Sequence, residues 1–130
     1  MLLDTSGLLC LFHLDEIKHN EAVALYANAD RQLVHNYILA EFVPLAQSRG
    51  LPRLLTLDFS QHLLTDENVE VVWVGDQLHR QALELLHARK DKTYSLCDAV
   101  SFLLMRDHDI SDALTTDKHF EQEGFVRLLK

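Results

Sequence analysis

Met1-Leu2-Leu3-Asp4-Thr5-Ser6-Gly7-Leu8-Leu9-Cys10-Leu11-Phe12 is the stretch on which the fold turns. An apolar run begins at the first residue and stops on an acid. Two hydroxyl residues and a glycine follow, and a second apolar segment then resumes. This reads as a short buried strand feeding directly into a helix, with Asp4 at the strand's carboxyl end. In an open α/β sheet, ligands bind just outside the carboxyl ends of the strands, so a site would begin at Asp4. The competing reading is structural: Asp4 or Thr5 caps the helix that follows.

Outward from this stretch, strands and helices alternate. Arg31 to His35 reads as a second strand, the β-branched run Val69 to Val74 as a third, Ala113 to Thr115 as a fourth and Phe125 to Leu128 as a fifth. Between them, Glu16 to Asn28 carries a helical apolar stripe. Asn36 is the expected N-cap of a helix running to about Ser48 and stopped by Gly50. Pro52 opens a helix with apolar positions Leu54, Leu55, Leu57, Phe59, Leu63 and Leu64. Asp76 caps a helix with Leu78, Ala82, Leu85 and Leu86 on one face, Tyr94 to Asp107 forms another, and Lys118 to Glu123 a short turn. The alternation predicts an α/β domain with a parallel sheet covered on both faces.

The 130 residues fit one domain spanning 1–130, long enough to bury a core without disulfides. Cys10 and Cys97 lie in apolar surroundings without metal-ligand spacing and read as reduced core residues. With no signal-peptide pattern and no run long enough to cross a bilayer, a cytoplasmic protein is expected. Twelve basic and twenty acidic residues give a net charge of −8, which disfavours nucleic-acid binding through a general basic field. The acidic excess serves solubility, or reflects acids that converge on metal ions.

Three more carboxylates interrupt or end apolar patterns. Glu41 lies in Tyr37-Ile38-Leu39-Ala40-Glu41-Phe42-Val43, where every neighbour is apolar; it is either at the helix's exposed angle or buried against a partner. Asp98 stands three residues after Ser95, the spacing of a capping box. Asp117 follows the fourth strand and could cap the turn after it. Singly, each has a structural explanation. One arrangement accounts for all four acids: the first and fourth strands lie side by side, and two helices lean over their carboxyl ends. Such a cluster suits Mg²⁺ or Mn²⁺, which want several oxygen ligands.

Met1-Leu2-Leu3-Asp4-Thr5-Ser6, Leu39-Ala40-Glu41, Leu96-Cys97-Asp98-Ala99-Val100-Ser101 and Ala113-Leu114-Thr115-Thr116-Asp117-Lys118-His119-Phe120 with Gly124-Phe125 together resemble the PIN domain. Within that family the chain is similar to the single-domain ribonuclease toxins of bacterial type II toxin–antitoxin pairs. The resemblance covers the whole chain, and its last block is the most specific. It implies a three-layer α/β/α fold with a five-stranded parallel sheet in the order 3-2-1-4-5. It also implies Mg²⁺- or Mn²⁺-dependent endonucleolytic cleavage of RNA. Asp4, Glu41, Asp98 and Asp117 match the family's catalytic and metal-binding acids, and Ser6 and Thr115 match hydroxyl positions that brace them. An antitoxin partner and a homodimer are implied as well.

Pro44 departs from an ordinary helix interior and is expected to remove the bond to the Ala40 carbonyl, leaving the aim of Glu41 open. His35 and His119 fall near the expected site without forming a ligand pattern. Lys118, Arg49, Arg53, Lys90 and Lys92 are the basic residues available to a substrate track, and serve equally as solubilising surface. Two other functions compete: a PIN-like fold that binds without catalysis, and a signalling receiver domain. The receiver would need a phosphoacceptor directly after the third strand, where Gly75-Asp76 reads as a helix start.

Overall fold

Leu2, Leu3, Leu33, Val34, Ala113 and Leu114 have no exposed surface, and they form the middle of three adjacent strands in a computed structural model that describes all residues, Met1–Lys130. The strands are β1 (Leu2–Leu3), β2 (Gln32–His35), β3 (Val69–Val72), β4 (Asp112–Leu114) and β5 (Val126–Arg127). They form one sheet in the order β3-β2-β1-β4-β5, and every pairing is parallel. Strands buried on both faces need continuous apolar sequence, which is what β1, the middle of β2 and the end of β4 supply. β1, β3 and β5 are each shorter than the run that signals them, and β4 is set one residue earlier than Ala113 to Thr115.

The helices are α1 (Thr5–Phe12), α2 (His19–Asn28), α3 (Asn36–Ser48), α4 (Arg53–Thr65), α5 (Asp76–Ala88), α6 (Leu96–Asp107) and α7 (His119–Gln122). α1 packs on α2 and α3, and α3 on α4; α5 packs on α6, which meets α7. These groups form the outer layers of a three-layer α/β/α domain. Phe102 of α6 is clasped by Tyr94, Phe120 and Phe125, with ring centroids 5.0, 5.1 and 5.7 Å away. Aromatic pairs of this kind add roughly 0.5–1.5 kcal/mol each beyond burial. The His-Phe and Gly-Phe pairs of the last block therefore fasten α7 and β5 onto α6.

Three local expectations are corrected. His35, not Asn36, caps α3: the Ile38 amide donates to His35 Nδ1 at 3.4 Å, and Nε2 meets Ser101 Oγ at 2.8 Å. Asn36 is the first helical residue, and its side chain accepts from the Val74 amide at 2.6 Å. At α5 the cap position is Gly75, and Asp76 pairs with Arg80 one turn on. In α4 only Thr56 and Leu63 are buried, so the apolar positions Leu54, Leu55, Leu57 and Leu64 face outward. The capping box at α6 is present as read, and α3 continues through Pro44.

Candidate active site

Parallel pairing of Leu2 with Ala113 and Leu3 with Leu114 brings the residues that follow, Asp4 and Thr115, side by side at the carboxyl edge of the sheet. This is the switch point, where the chain leaves β1 in one direction and β4 in the other. Asp4 occupies the position before α1 but caps nothing with its side chain. Its Oδ2 instead accepts a 2.7 Å hydrogen bond from Thr115 Oγ1 and a 3.3 Å bond from Ser6 Oγ. Ser6 Oγ lies 3.1 Å from Thr115 Oγ1 and accepts from the Thr116 amide at 3.0 Å. The Asp117 amide closes the network on Thr115 Oγ1 at 3.0 Å. Both hydroxyls thus tie the turn after β4 to the first turn of α1.

That approach depends on Gly7. A Cβ there would lie 1.9 Å from the Leu114 carbonyl oxygen, closer than any side chain permits. The glycine lets α1 sit against the end of β4 and brings Asp4 toward the acids beyond it.

Asp98 is delivered by the start of α6. Its amide donates to Ser95 Oγ and its Oδ2 accepts from the Ser95 amide, both at 3.0 Å. The same buried carboxylate faces Asp117 and His119. The capping bond therefore also aims the Asp98 carboxylate toward Asp117 and His119. Asp117 Oδ1 accepts from the His119 amide at 2.9 Å. His119 Nδ1 lies 3.2 Å from Asp117 Oδ1 and 3.4 Å from Asp98 Oδ2.

Burial pushes the Asp4 carboxyl up to about 7; the Thr115 hydrogen bond opposes the shift, and the charges of Asp98 and Asp117 add to it. Burial also raises Asp98, opposed by its Ser95 bond and reinforced by Asp117. Carboxylates that raise one another's pKa are poised to release protons when a cation arrives. Glu41 is exposed on α3. It reaches the site's rim beside the buried Cys97 thiol, whose pKa is pushed up by burial and by the charges of Glu41, Asp4 and Asp98. The four acids thus arrive from β1, α3, α6 and the turn after β4. Of the two histidines, His119 joins them, whereas His35 is fully buried on Ser101 and α3.

A divalent cation fits the donors present. Asp98, Asp117 and His119 each offer a ligand atom, all within 4.8 Å of one another. His119 Nδ1 is buried with no hydrogen-bond partner and faces the two carboxylates. Sequence reasoning had no means of finding Thr93, whose Oγ1 meets His119 Nε2 at 2.8 Å across 26 residues. Nor did it find Glu123, which anchors the same corner. Its side chain is 4% exposed and takes Arg89 at 3.2 and 3.1 Å, Arg106 at 2.9 Å and the Tyr94 hydroxyl at 2.9 Å.

Comparison with known proteins assigns the family and the fold. Residues 1–125 match the family model of the PIN domain. The 23S rRNA-specific endonuclease VapC20 of Mycobacterium tuberculosis, in the H37Rv and CDC 1551 strains, is 30% identical over 129 residues, spanning 98% of this chain and 97% of that protein. The crystal structure of VapC20, described as a sarcin–ricin loop cleaving toxin, superimposes with a TM-score of 0.87 at 28% identity, covering 96% of this chain and 95% of its own.

Proposed function

This chain belongs to the PIN domain family, and from that premise we propose that it is a divalent-metal-dependent endoribonuclease, the toxin of a toxin–antitoxin pair. The receiver-domain alternative falls with the family assignment. The observation that carries the proposal is the grouping of Asp98, Asp117 and His119, with Asp4 close enough to feel the charges of Asp98 and Asp117, in a chain similar to an rRNA endonuclease along its whole length.

Asp98 and Asp117 would hold Mg²⁺ or Mn²⁺ together with Asp4, and Glu41 would complete the acid set from the rim. When bound, the cation makes water nucleophilic near neutral pH and offsets charge at the phosphate and the leaving oxygen. Thr115 and Ser6 fix the Asp4 carboxylate and give up nothing themselves. Asp4, whose carboxyl burial raises to about 7, is partly protonated near neutral pH and would give up that proton to a bound cation, while its Oδ2 keeps the hydrogen bonds from Thr115 and Ser6. The phosphodiester backbone must bend into an acidic concavity, which an RNA loop does more easily than a regular duplex. Lys118, exposed and without an ion pair beside Asp117, is the nearest basic contact for the strand. The similarity to VapC20 supports a ribosomal RNA loop as the first substrate to try.

The antitoxin reading rests on apolar surface. Leu11, Val23, Tyr26, Phe59, His62 and Leu63 line a groove between α1, α2 and α4. Ile17, before α2, is 96% exposed and Leu54, on α4, 70%. An amphipathic antitoxin segment would cover this face, and a basic side chain from it would enter the acid cluster. A homodimer is the alternative occupant of the same face, and sedimentation of the purified chain across concentrations tests it.

The activity is tested by expressing the chain in a heterologous host and mapping new RNA ends. New ends with wild type and none with Asp4→Asn are expected. Ends that appear equally in both, or in neither at matched expression, would remove the acid cluster as a nuclease site.

A further inference from the structure

His119 is the one nitrogen among the acids, and its surroundings are specific. Its Nε2 lies 2.8 Å from Thr93 Oγ1, and its ring stands edge-on to Tyr94 at 5.3 Å. Tyr94 is in turn held by its hydroxyl on Glu123. The ring's position is therefore set from the 89–94 loop and from α7, independently of the carboxylates it faces. Those carboxylates are near but misaligned. Nδ1 is 3.2 Å from Asp117 Oδ1 and 3.4 Å from Asp98 Oδ2, yet it makes a hydrogen bond to neither and is buried.

A neutral imidazole donating from Nε2 to Thr93 presents a lone pair at Nδ1. A cation placed among that lone pair and the two carboxylate oxygens would satisfy all three atoms at once. The separations suit one: ligands about 2.1 Å from an octahedral ion and at right angles to each other lie about 3 Å apart. Coordinating histidines hold the remaining ring N–H on a second partner, and Thr93 Oγ1 stands where it could accept that bond from His119 Nε2.

We propose that His119 is a metal ligand through Nδ1, completing with Asp98 and Asp117 a nitrogen-containing cation position whose ring orientation is set by Thr93. The inference rests on the metal-dependent reading of the acid cluster and adds a consequence that carboxylates alone would not produce. Imidazole favours transition ions over Mg²⁺, so the site discriminates toward Mn²⁺.

The test is pulsed electron paramagnetic resonance on the full chain loaded with Mn²⁺, with Mn²⁺ and Mg²⁺ affinities from calorimetry. Wild type is expected to show ¹⁴N modulation from a directly bound imidazole, and the modulation changes to the ¹⁵N pattern when histidine is ¹⁵N-labelled. In His119→Gln the modulation disappears, Mn²⁺ affinity falls about tenfold, and Mg²⁺ affinity falls less. Thr93→Val keeps Mn²⁺ but weakens it, with the nitrogen signal retained. Mn²⁺ bound to wild type and lost in Asp98→Asn, but with no nitrogen modulation, overturns the ligand role of His119 and leaves the acid site standing. Mn²⁺ that binds wild type no better than Asp4→Asn/Asp98→Asn overturns the metal reading itself, and the inference with it. The wild-type spectrum decides the question even if a variant fails to fold.

Discussion

Gly7 and Leu114 approach so closely that a Cβ on Gly7 would lie 1.9 Å from the Leu114 carbonyl oxygen. The contact joins the first turn of α1 to the end of β4, the two places that supply Asp4 and Thr115. Helix and strand cannot both stay where they are if the glycine gains a side chain, because the atom struck is backbone.

Gly7→Ala is therefore expected to destabilise the fold by about 3 kcal/mol or more and to lower nuclease activity further than the loss of folded protein explains. Urea unfolding and RNA cleavage at matched folded fraction measure both. Gly75→Ala is the control: nothing lies within 4 Å of its Cβ, and its stability should change by no more than about 0.5 kcal/mol.

Loading the site should stabilise the protein. Mn²⁺ at about one hundred times its dissociation constant adds roughly 2.7 kcal/mol to a protein that binds it only when folded. Wild type should show this rise in thermal melting, and Asp4→Asn/Asp98→Asn should not. In EDTA, Asp4→Asn should melt above wild type, because it removes a buried carboxyl that ionises with difficulty while keeping an acceptor for Thr115. Asp98→Ala should melt below Asp98→Asn, since only the amide can keep the capping bond to the Ser95 amide. A shared fall for Asp4→Asn and Asp98→Asn in EDTA would mean that their structural roles dominate.

Sequence carries the sheet and its acids because both leave local signatures. β1 is a continuous apolar run and β4 ends on Ala113-Leu114, and each is followed within three residues by an acid. The Ser95–Asp98 box is legible from spacing alone. Long-range partners leave no such mark. Glu123 meets Arg89 across 34 residues and Arg106 across 17, and His119 meets Thr93 across 26. An isolated Arg or Glu in sequence looks like surface. His35 was misread because a histidine ending an apolar strand is not a usual cap, whereas Asn36 is. Leu54 and Leu55 have the right residue type for a core; no local pattern distinguishes a helix face the chain covers itself from one left for a partner.

Glu123 holds α7 to α6 and to the loop after α5. Burial alone would raise its pKa, but hydrogen bonds from Arg106, Arg89 and Tyr94 outweigh it, so the carboxyl sits below its ordinary value of 4.5. A depressed acid contributes stability above its unfolded pKa, and that contribution is lost as pH falls through the folded value. Glu123→Gln should cost about 2 kcal/mol at pH 7, less than a fully buried pair because both arginines are about 40% exposed. The difference from wild type should shrink below about pH 4. A cost that is unchanged from pH 7 to pH 3 would mean that shape, not charge, holds this corner.

Two buried groups with opposite shifts make the last expectation. Asp4 is raised by burial to about 7. Between about pH 4 and 7 the folded metal-free protein keeps a proton that the unfolded chain has released, so stability falls as pH rises. His35 is lowered by burial to about 3 from an ordinary 6.5. Between about pH 3 and 6.5 the unfolded chain takes a proton that the folded protein refuses, so stability rises as pH rises. Each group contributes a limiting slope of about 1.4 kcal/mol per pH unit, with opposite sign. In the window they share, from about pH 4 to 6.5, the two slopes offset each other. Unfolding free energies in EDTA across that range separate them. Asp4→Asn should shift toward a rising slope, because only the burial-raised Asp98 carboxyl is then left to oppose His35. His35→Asn, which keeps a side-chain oxygen to cap α3, should acquire a falling one. The double variant should lose both. If Asp4→Asn follows the wild-type curve throughout, Asp4 ionises in the folded protein as it does in the unfolded chain, and it holds no proton near neutral pH for a metal to displace.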